Sequence, residues 1–381
     1  MTVHAFQPDG QAAREGALAS LGRELPGIAA LALHDDINGQ FASHAVARMR
    51  DVGILSSVLP LEEGGAGLGT DRHATVTLFH VLSRLGAAHL SAARLFEGHV
   101  NAFGLLWQYG TATQRSRLLR YVREGGLLGV WNAPEPGAPL RLLADGSHFR
   151  LSGSKIHASG AGAIRRPLLT AQTADDRLLM VWCDVGAAQV DTSGWRMQGM
   201  RATATGTVHL DGVVVDAIEL FGADGDYHRQ PAFSGGAWRF LAAQLGAAGA
   251  LVDAVRQSLN ISGRGENQHQ SARLAEASTR LETGRLWTQA AARMADDPGQ
   301  DPHDVVIYTA MARLVVEEAA MAIVALAQRS IGLRSLHEDH AAERIARDLA
   351  TYLRQPAPDA LRDAVAADAL KSHGPMLDRW H

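Results

Sequence analysis

The spacing of hydrophobic residues changes twice along the chain, near residues 125 and 230. From about residue 11 to residue 125, apolar residues recur at intervals of three and four, as in FASHAVARMRDVG. This spacing places them on one face of a helix and therefore predicts a series of amphipathic helices. The pattern is interrupted at Pro60 and at the glycine-rich run 64–69, where we expect a loop.

Between about residues 127 and 218 the period shortens to two, or the apolar residues form short solid runs. LGVWNA, PLLTAQ and RLLMVWCDV are such runs, and clusters of Pro, Gly, Asp and Ser separate them. These features predict a compact antiparallel β domain. The helical period returns from about residue 235, and the small residues at 247–250 favour close helix packing.

The order of the patterns predicts an α+β fold in blocks rather than an alternating βαβ array. We expect an N-terminal helical domain (1–125), a middle antiparallel β domain (126–230) and a C-terminal four-helix bundle (231–381). The helices predicted at 242–250 and 311–327 carry more apolar surface than one four-helix core can bury. They therefore predict a homodimer or homotetramer assembled through the bundle.

Composition narrows the classes of partner. The 381-residue chain carries 36 Lys and Arg against 40 Asp and Glu, for a formal net charge of -4. Such a nearly neutral chain is not expected to bind nucleic acid or an anionic membrane surface. No apolar run reaches the about 18 residues of a membrane span. The first ten residues lack the pattern of a signal peptide, so we expect a cytoplasmic protein.

Two features bear on disulfides and metals. Cys183 is the one cysteine of the sequence, which excludes an internal disulfide, a cysteine-based zinc site and a cysteine-held iron–sulfur cluster. His337 and His340 enclose two acids but lack the i,i+4 spacing of a helical metal site. We therefore expect no metal site.

Several strings, in order and in register, carry a family resemblance. LPLEEGGAGLG, YGTATQRSRLL, LSGSKIHASGAG and GWRMQGMRATATGTVHLDGVVV are followed by AQRSIGLRSL and AERIARDLATYLRQP. Together they resemble the acyl-CoA dehydrogenase superfamily over nearly the whole chain. The resemblance implies the three-block fold, with a flavin held between the β domain, the bundle and a neighbouring subunit.

The resemblance also implies flavin contacts. The family places a flavin-ring Ser or Thr at the position of Ser159, just after the strand that ends at His157; a tight turn of small residues is the alternative. Arg264 stands where the family has an arginine on the flavin phosphates, a role suited to a guanidinium, or it is an exposed loop residue. Gln328 and Gly332 correspond to the loop that meets the neighbouring subunit's flavin. We expect FAD, with FMN as the alternative.

The sequence departs from the family at the catalytic base. Most members carry a Glu shortly after the Arg-Asp pair of the late helix, and the equivalent position here is Pro356. Proline supplies neither a carboxylate nor an N–H group. Some members place their Glu early in the first bundle helix, but Ala237 is nearest here and no acid occurs from Ser234 to Val252.

This loss resembles another branch of the superfamily, the two-component flavin monooxygenases. These enzymes need neutral polar groups around a reduced flavin in a site that excludes water. His99, Asn132 and Ser159 are the catalytic candidates, and Trp131 belongs to a WNA string similar to that branch. The alternative for His99 is a core histidine on the apolar stripe of its helix.

Three functions follow from these observations. The first is a flavin-dependent oxidoreductase that resembles acyl-CoA dehydrogenases and lacks the usual carboxylate. The second is a two-component flavin monooxygenase that uses reduced flavin and oxygen on an aromatic or heteroatom substrate. The third is a flavin-free scaffold or binding protein. Either enzyme would act on a small molecule, an acyl-CoA or an aromatic compound, with a flavin reductase or an electron-transfer protein as partner.

Overall fold

The computed structural model describes residues 8–380. Residues 1–7, on which part of the signal-peptide interpretation rests, lie outside the described chain. Helices come first, strands second and helices again third, which confirms the predicted fold class. The block boundaries at 125 and 230 remain predictions.

Five helices form the first block, and their apolar faces meet in a common core. The loop predicted at 64–69 is present, and Gly65 is required there because a Cβ would lie 2.1 Å from the Leu59 carbonyl oxygen. Thr111 and Gln114 form a capping box that starts the fifth helix. The helices are α1 (Pro8–Asn38), α2 (Ser43–Asp51), α3 (Thr75–Ala88), α4 (Leu90–Tyr109) and α5 (Ala112–Arg123).

The second block consists of two β-sheets. Its strands are β1 (Val130–Trp131), β2 (Arg141–Asp145), β3 (His148–Ser152), β4 (Ser154–Ala158), β5 (Leu168–Gln172), β6 (Leu178–Trp182), β7 (Gln189–Asp191), β8 (Gly206–His209), β9 (Val214–Val215) and β10 (Leu220–Phe221). The larger sheet has the order β10-β6-β5-β2-β3-β9, with β1 beside β5, and the smaller has the order β4-β8-β7. Most neighbours are antiparallel, as predicted. The strands β1 and β2 differ because they run parallel to β5.

The third block is helical. Its helices are α6 (Ala232–Gly235), α7 (Trp238–Ser262), α8 (Gln268–Asp296), α9 (Pro302–Ile331), α10 (Ala341–Tyr352) and α11 (Pro358–Lys371). The helices α7, α8, α9 and α10 pack together as a bundle, and α11 lies against α9. Over residues 8–380, no helix is both long and apolar enough to cross a membrane.

A close backbone contact between α3 and α7 joins the bundle to the first block. A Cβ at Gly246 would lie 1.9 Å from the carbonyl oxygen of Ser83, and one at Gly86 would lie 2.1 Å from that of Ala243. Neither position accepts a side chain unless the helices move apart. The small residues of α7 are predicted to serve contacts inside the bundle, whereas Gly246 serves a contact between blocks.

We predict that Gly246→Ala lowers the free energy of unfolding, because its methyl group overlaps a backbone carbonyl that cannot move alone. Overpacking of this kind costs about 1–3 kcal/mol. Gly249→Ala is the matched control, because the nearest atom to its Cβ is a Leu281 methyl carbon at 3.7 Å. The control should keep or slightly raise stability, and urea unfolding of both variants makes the comparison. Equal stability of the two variants would contradict the tight contact.

Candidate functional site

A cavity of about 1070 Å³ lies where the three blocks meet. Its walls come from α4, the start of α7, the end of α8, α9, the segment after α10, and the ends of β1 and β4. The volume suits a cofactor together with a small substrate. The residues that line it include Arg94, Glu97, Asn101, Trp107, Arg115, Asn132, His157, Arg239, Phe240, Asp296, Arg313, Tyr352, Gln355 and Pro356.

A chain of charged and amide groups crosses one wall of the cavity. Arg94 Nη1 donates to Glu97 Oε2 at 2.6 Å, and Asn101 Nδ2 donates to the other oxygen of Glu97. Arg239 Nη1 in turn donates to Asn101 Oδ1 at 3.2 Å. This network was not predicted from the sequence. The signal for it is the row of polar residues 94, 97 and 101, at helical spacing on an otherwise buried helix.

Asp296 is a second carboxyl group at the cavity. The Thr75 hydroxyl donates to its Oδ2, and Arg239 is close enough to attract its charge. Burial raises the pKa of Asp296 above its ordinary value, and Arg239 opposes that rise only in part. Asp296 was not predicted from the sequence either, because it ends a long polar helix.

The segment after α10 presents no carboxylate to the cavity. Pro356 lines the wall, and its carbonyl accepts a hydrogen bond from Arg313 Nη2 at 3.0 Å. Tyr352 and Gln355 line the same wall, and Gln355 Nε2 donates to the Tyr352 carbonyl at 2.7 Å. Burial raises the pKa of the Tyr352 phenol well above its ordinary value, so the hydroxyl is neutral.

Asn132 lines the cavity directly after β1, supported from behind by two buried groups. The Thr170 hydroxyl donates to Asn132 Oδ1, and Lys155 Nζ donates to the Asn132 carbonyl at 2.9 Å and to Thr170 Oγ1 at 3.1 Å. Lys155 is 2% exposed, and burial lowers its pKa to about 8. The support fixes the amide so that its Nδ2 donors have no hydrogen-bond partner within residues 8–380.

Ser159 ends a chain of hydroxyl groups. The Thr203 and Thr205 hydroxyls lie 2.7 Å apart, and Thr205 Oγ1 donates to Ser159 Oγ at 3.2 Å. The Ser159 carbonyl accepts from the indole N–H of Trp131 at 2.8 Å. The turn is therefore held from two sides, and the Ser159 hydroxyl keeps its own hydrogen available for another acceptor.

The cavity brings together only part of the predicted catalytic and cofactor-binding residues. Asn132 and His157 line it, whereas Ser159 and the buried Trp131 stand behind that wall. His157 is exposed with a φ of 54°, and its ring lies 6.3 Å from that of Trp195. The β block therefore offers one amide and one imidazole directly to a bound molecule.

His99 points into the protein core and does not line the cavity, which corrects the expectation of an active-site position. Its Nε2 donates to the Leu55 carbonyl at 2.9 Å, and its Nδ1 accepts from the Leu128 N–H at 3.0 Å. Both ring nitrogens are therefore used by the backbone, and burial lowers the pKa of His99 to about 4. The helical pattern predicts the inward direction correctly, but it cannot tell a cavity from a core.

Arg264, Gln328 and Gly332 meet at the far end of the bundle and do not line the cavity. Arg264 Nη2 donates to the Ser330 carbonyl at 3.4 Å and its Nε to Ser262 Oγ at 3.0 Å. The Gly332 N–H donates to the Gln328 carbonyl at the end of α9. The family resemblance implies that Gln328 and Gly332 meet the flavin of a neighbouring subunit and that Arg264 contacts flavin phosphates, and both assignments stay predictions.

The three-block fold around a central cavity defines a known class of protein. The model of the acyl-CoA dehydrogenase N-terminal domain matches residues 9–126, and that of the C-terminal domain matches residues 224–353. The chain belongs to the acyl-CoA dehydrogenase family. This family of flavin-dependent oxidoreductases includes both dehydrogenases and monooxygenases.

Similar proteins come from both groups. L-evernosamine nitrososynthase of Micromonospora is 29% identical, over 85% of this chain and 82% of the relative. Cyclohex-1-ene-1-carbonyl-CoA dehydrogenase of Geobacter metallireducens is 26% identical, over 84% of this chain and 88% of the relative. The dibenzothiophene monooxygenase TdsC of Paenibacillus, solved with FMN and indole, has a TM-score of 0.84 at 19% identity, covering 96% of this chain and 99% of TdsC.

We predict that His99 makes the folded protein sensitive to acid. Unfolded His99 takes up a proton near pH 6.5 and the folded form only near pH 4, so stability present above pH 6.5 is lost as the pH falls through 4. The difference amounts to about 3 kcal/mol. Urea unfolding at several pH values between 4 and 7 gives the free energy of unfolding as a function of pH. This free energy should depend less steeply on pH for His99→Gln than for wild type. Exposed His73→Gln is the control, and an unchanged slope in His99→Gln would contradict burial of a neutral ring.

We predict that Lys155 makes the stability of the protein depend on pH in the alkaline range. Between its folded pKa of about 8 and its ordinary value of 10.5, the unfolded chain binds a proton that the folded chain does not. Stability therefore rises with pH there, by about 2 kcal/mol from pH 7.5 to 10 relative to Lys155→Met. The exposed Lys371→Met variant is the control and should follow wild type. A pH-independent difference between Lys155→Met and wild type would refute the prediction.

Proposed function

We propose that this protein binds a flavin, FAD or FMN, against the β-block wall of the cavity and acts as a monooxygenase on a small substrate. The observation that supports the proposal most strongly is that the cavity wall has Pro356, and no carboxylate, at the expected position of the catalytic base. Related dehydrogenases are expected to hold their catalytic carboxylate there, and this chain offers a carbonyl bound by Arg313. A base is not required at that position when the substrate receives oxygen rather than losing a proton.

The residues present fit a flavin. A planar ring with several acceptor atoms needs donors that the protein has not already used. Asn132 Nδ2 is such a donor on the cavity wall. Behind that wall the hydroxyl hydrogen of Ser159 is also unused, and Gly160 adjoins it with a bare backbone at a φ of 75°. Arg264 at the far end of the bundle is the candidate for the flavin phosphates of a neighbouring subunit.

Bound flavin would supply electron transfer and the activation of oxygen. The protein would orient the flavin ring and exclude water from it. Asn132, fixed by Thr170 and Lys155, orients the ring through its amide. Phe240 and Tyr352 present aromatic surface to the cavity, which limits access of water. Ser159 acts from behind through the hydroxyl chain of Thr205, which holds its oxygen in place.

Dehydrogenation of an acyl-CoA is the second candidate, and Asp296 is the observation that favours it. A carboxyl group whose pKa is raised by burial is a stronger base than an ordinary aspartate. Glu97 is a poorer candidate because Arg94 and Asn101 occupy both of its oxygens. The dehydrogenase function therefore requires Asp296 to face the substrate, whereas the monooxygenase function does not.

The proposal extends to the partners of the protein. A monooxygenase of this kind would receive reduced flavin from a separate reductase in the cytoplasm. A homodimer or homotetramer would complete the flavin site. The support for assembly is apolar surface at the Arg264 end of the bundle, where Ile261 is 89% and Leu333 86% exposed.

The test begins with flavin. We expect titration of the protein with FAD and FMN to shift the visible absorbance of one of them. We expect Asn132→Ala to weaken binding by about tenfold, the loss of one hydrogen bond, and Ser159→Ala to weaken it less, because Ser159 stands behind the cavity wall. Ser116→Ala, which removes an exposed helix hydroxyl, is the control. If neither flavin binds, the protein is a scaffold or binding protein and both enzyme candidates fail.

The second stage separates the two reactions. Anaerobic mixing of the flavin-loaded protein with straight, branched and aromatic acyl-CoAs should leave the oxidised flavin unbleached. Reduced flavin with oxygen should then convert an aromatic or heteroatom substrate. Prompt bleaching that Asp296→Asn abolishes would establish the dehydrogenase instead.

A further inference from the structure

Arg313 is a cavity cation without a matching acid. Its Nη2 donates to the Pro356 carbonyl at 3.0 Å, and its guanidinium lies 5.7 Å from the Phe240 ring centroid. Glu317, one helical turn away, is bound to Arg354 at 3.1 Å. No carboxylate of the described chain lies within ion-pair distance of Arg313.

Three other arginines of the cavity, Arg94, Arg239 and Arg115, differ from Arg313 in this respect. Arg94 is paired with Glu97, and Arg239 is bonded to Asn101 and attracted to Asp296. Arg115 donates to the carbonyls of residues 107 and 108 at the end of α4, where a helix carries partial negative charge. Arg313 alone of these four has its charge left over for a ligand.

A second unpaired group stands on the same wall. The Tyr352 hydroxyl is buried and has no hydrogen-bond partner within the described residues, although a buried hydroxyl normally has one. The Phe240 ring connects the two groups, since it also lies 6.4 Å from the Tyr352 ring. A guanidinium fork, a neutral phenol and an aromatic face are thus presented side by side.

This combination has a specific chemical complement. A partly desolvated guanidinium is costly unless an anion pairs with it, and its fork matches the two oxygens of a carboxylate. The phenol adds one donor, and the aromatic faces accept a flat apolar body. We propose that Arg313 and Tyr352 form a recognition site for the carboxylate of an aromatic acid, the substrate class of this cavity. The proposal rests on the function proposed above, because that function makes the cavity a substrate site.

The experiment compares ligands that differ only in charge. Binding of benzoate against benzamide, and of indole-3-carboxylate against indole-3-carboxamide, is measured by calorimetry with and without bound flavin. We expect wild type to prefer each acid by about tenfold or more. Arg313→Met should remove the preference, and Tyr352→Phe should reduce it. Arg313→Lys should restore part of it, because lysine keeps the charge without the fork.

Arg115→Met is the matched control, since it removes another guanidinium from the same cavity and should leave the preference intact. Thermal melting of each variant verifies that it is folded. An equal affinity of wild type for acid and amide, or a preference that survives Arg313→Met, overturns the proposal. Flavin binding without an acid preference would leave the proposed function standing and this inference refuted. An acid preference without flavin binding would refute the proposed function and leave this inference standing.

Discussion

The close backbone contact between α3 and α7, where Gly86 lies against Ala243 and Gly246 against Ser83, is the constraint on which the rest of the molecule depends. Because no side chain separates α3 from α7 there, the bundle approaches the first block as closely as two helices can. The first turn of α7 carries Arg239 and Phe240 to the cavity, and Thr75 reaches the same cavity from the start of α3. The contact therefore fixes how these two helix starts stand relative to each other at the cavity.

The block order could be predicted from the sequence because it depends on the period of apolar residues, which is local. The loop at 64–69 could be predicted because its glycines are required by the backbone. The parallel contacts of β1 and β2 with β5 could not, since they depend on strands far apart in the chain. Pro356 was found only through the family resemblance, and the structure places it on the cavity wall, as that resemblance implies.

The candidate site was predicted less completely for a physical reason. Polar groups acquire their role from partners that the sequence does not place, as Arg239 does from Asn101, 138 positions away. His99 shows the converse, because a histidine on an apolar stripe looks the same whether it meets a ligand or a backbone carbonyl. Arg313 carries no local signal, since an arginine on a long helix is ordinary until its neighbours are known to be apolar.

The burial of Lys155 has a consequence for handling the protein. The chain has two lysines, and the other, Lys371, is exposed at the end of α11. Of the two lysines of the folded protein, reagents that couple to amines would therefore attach to Lys371, while Lys155 stays shielded behind Asn132. A dye or solid support introduced by this chemistry would leave the cavity unmodified.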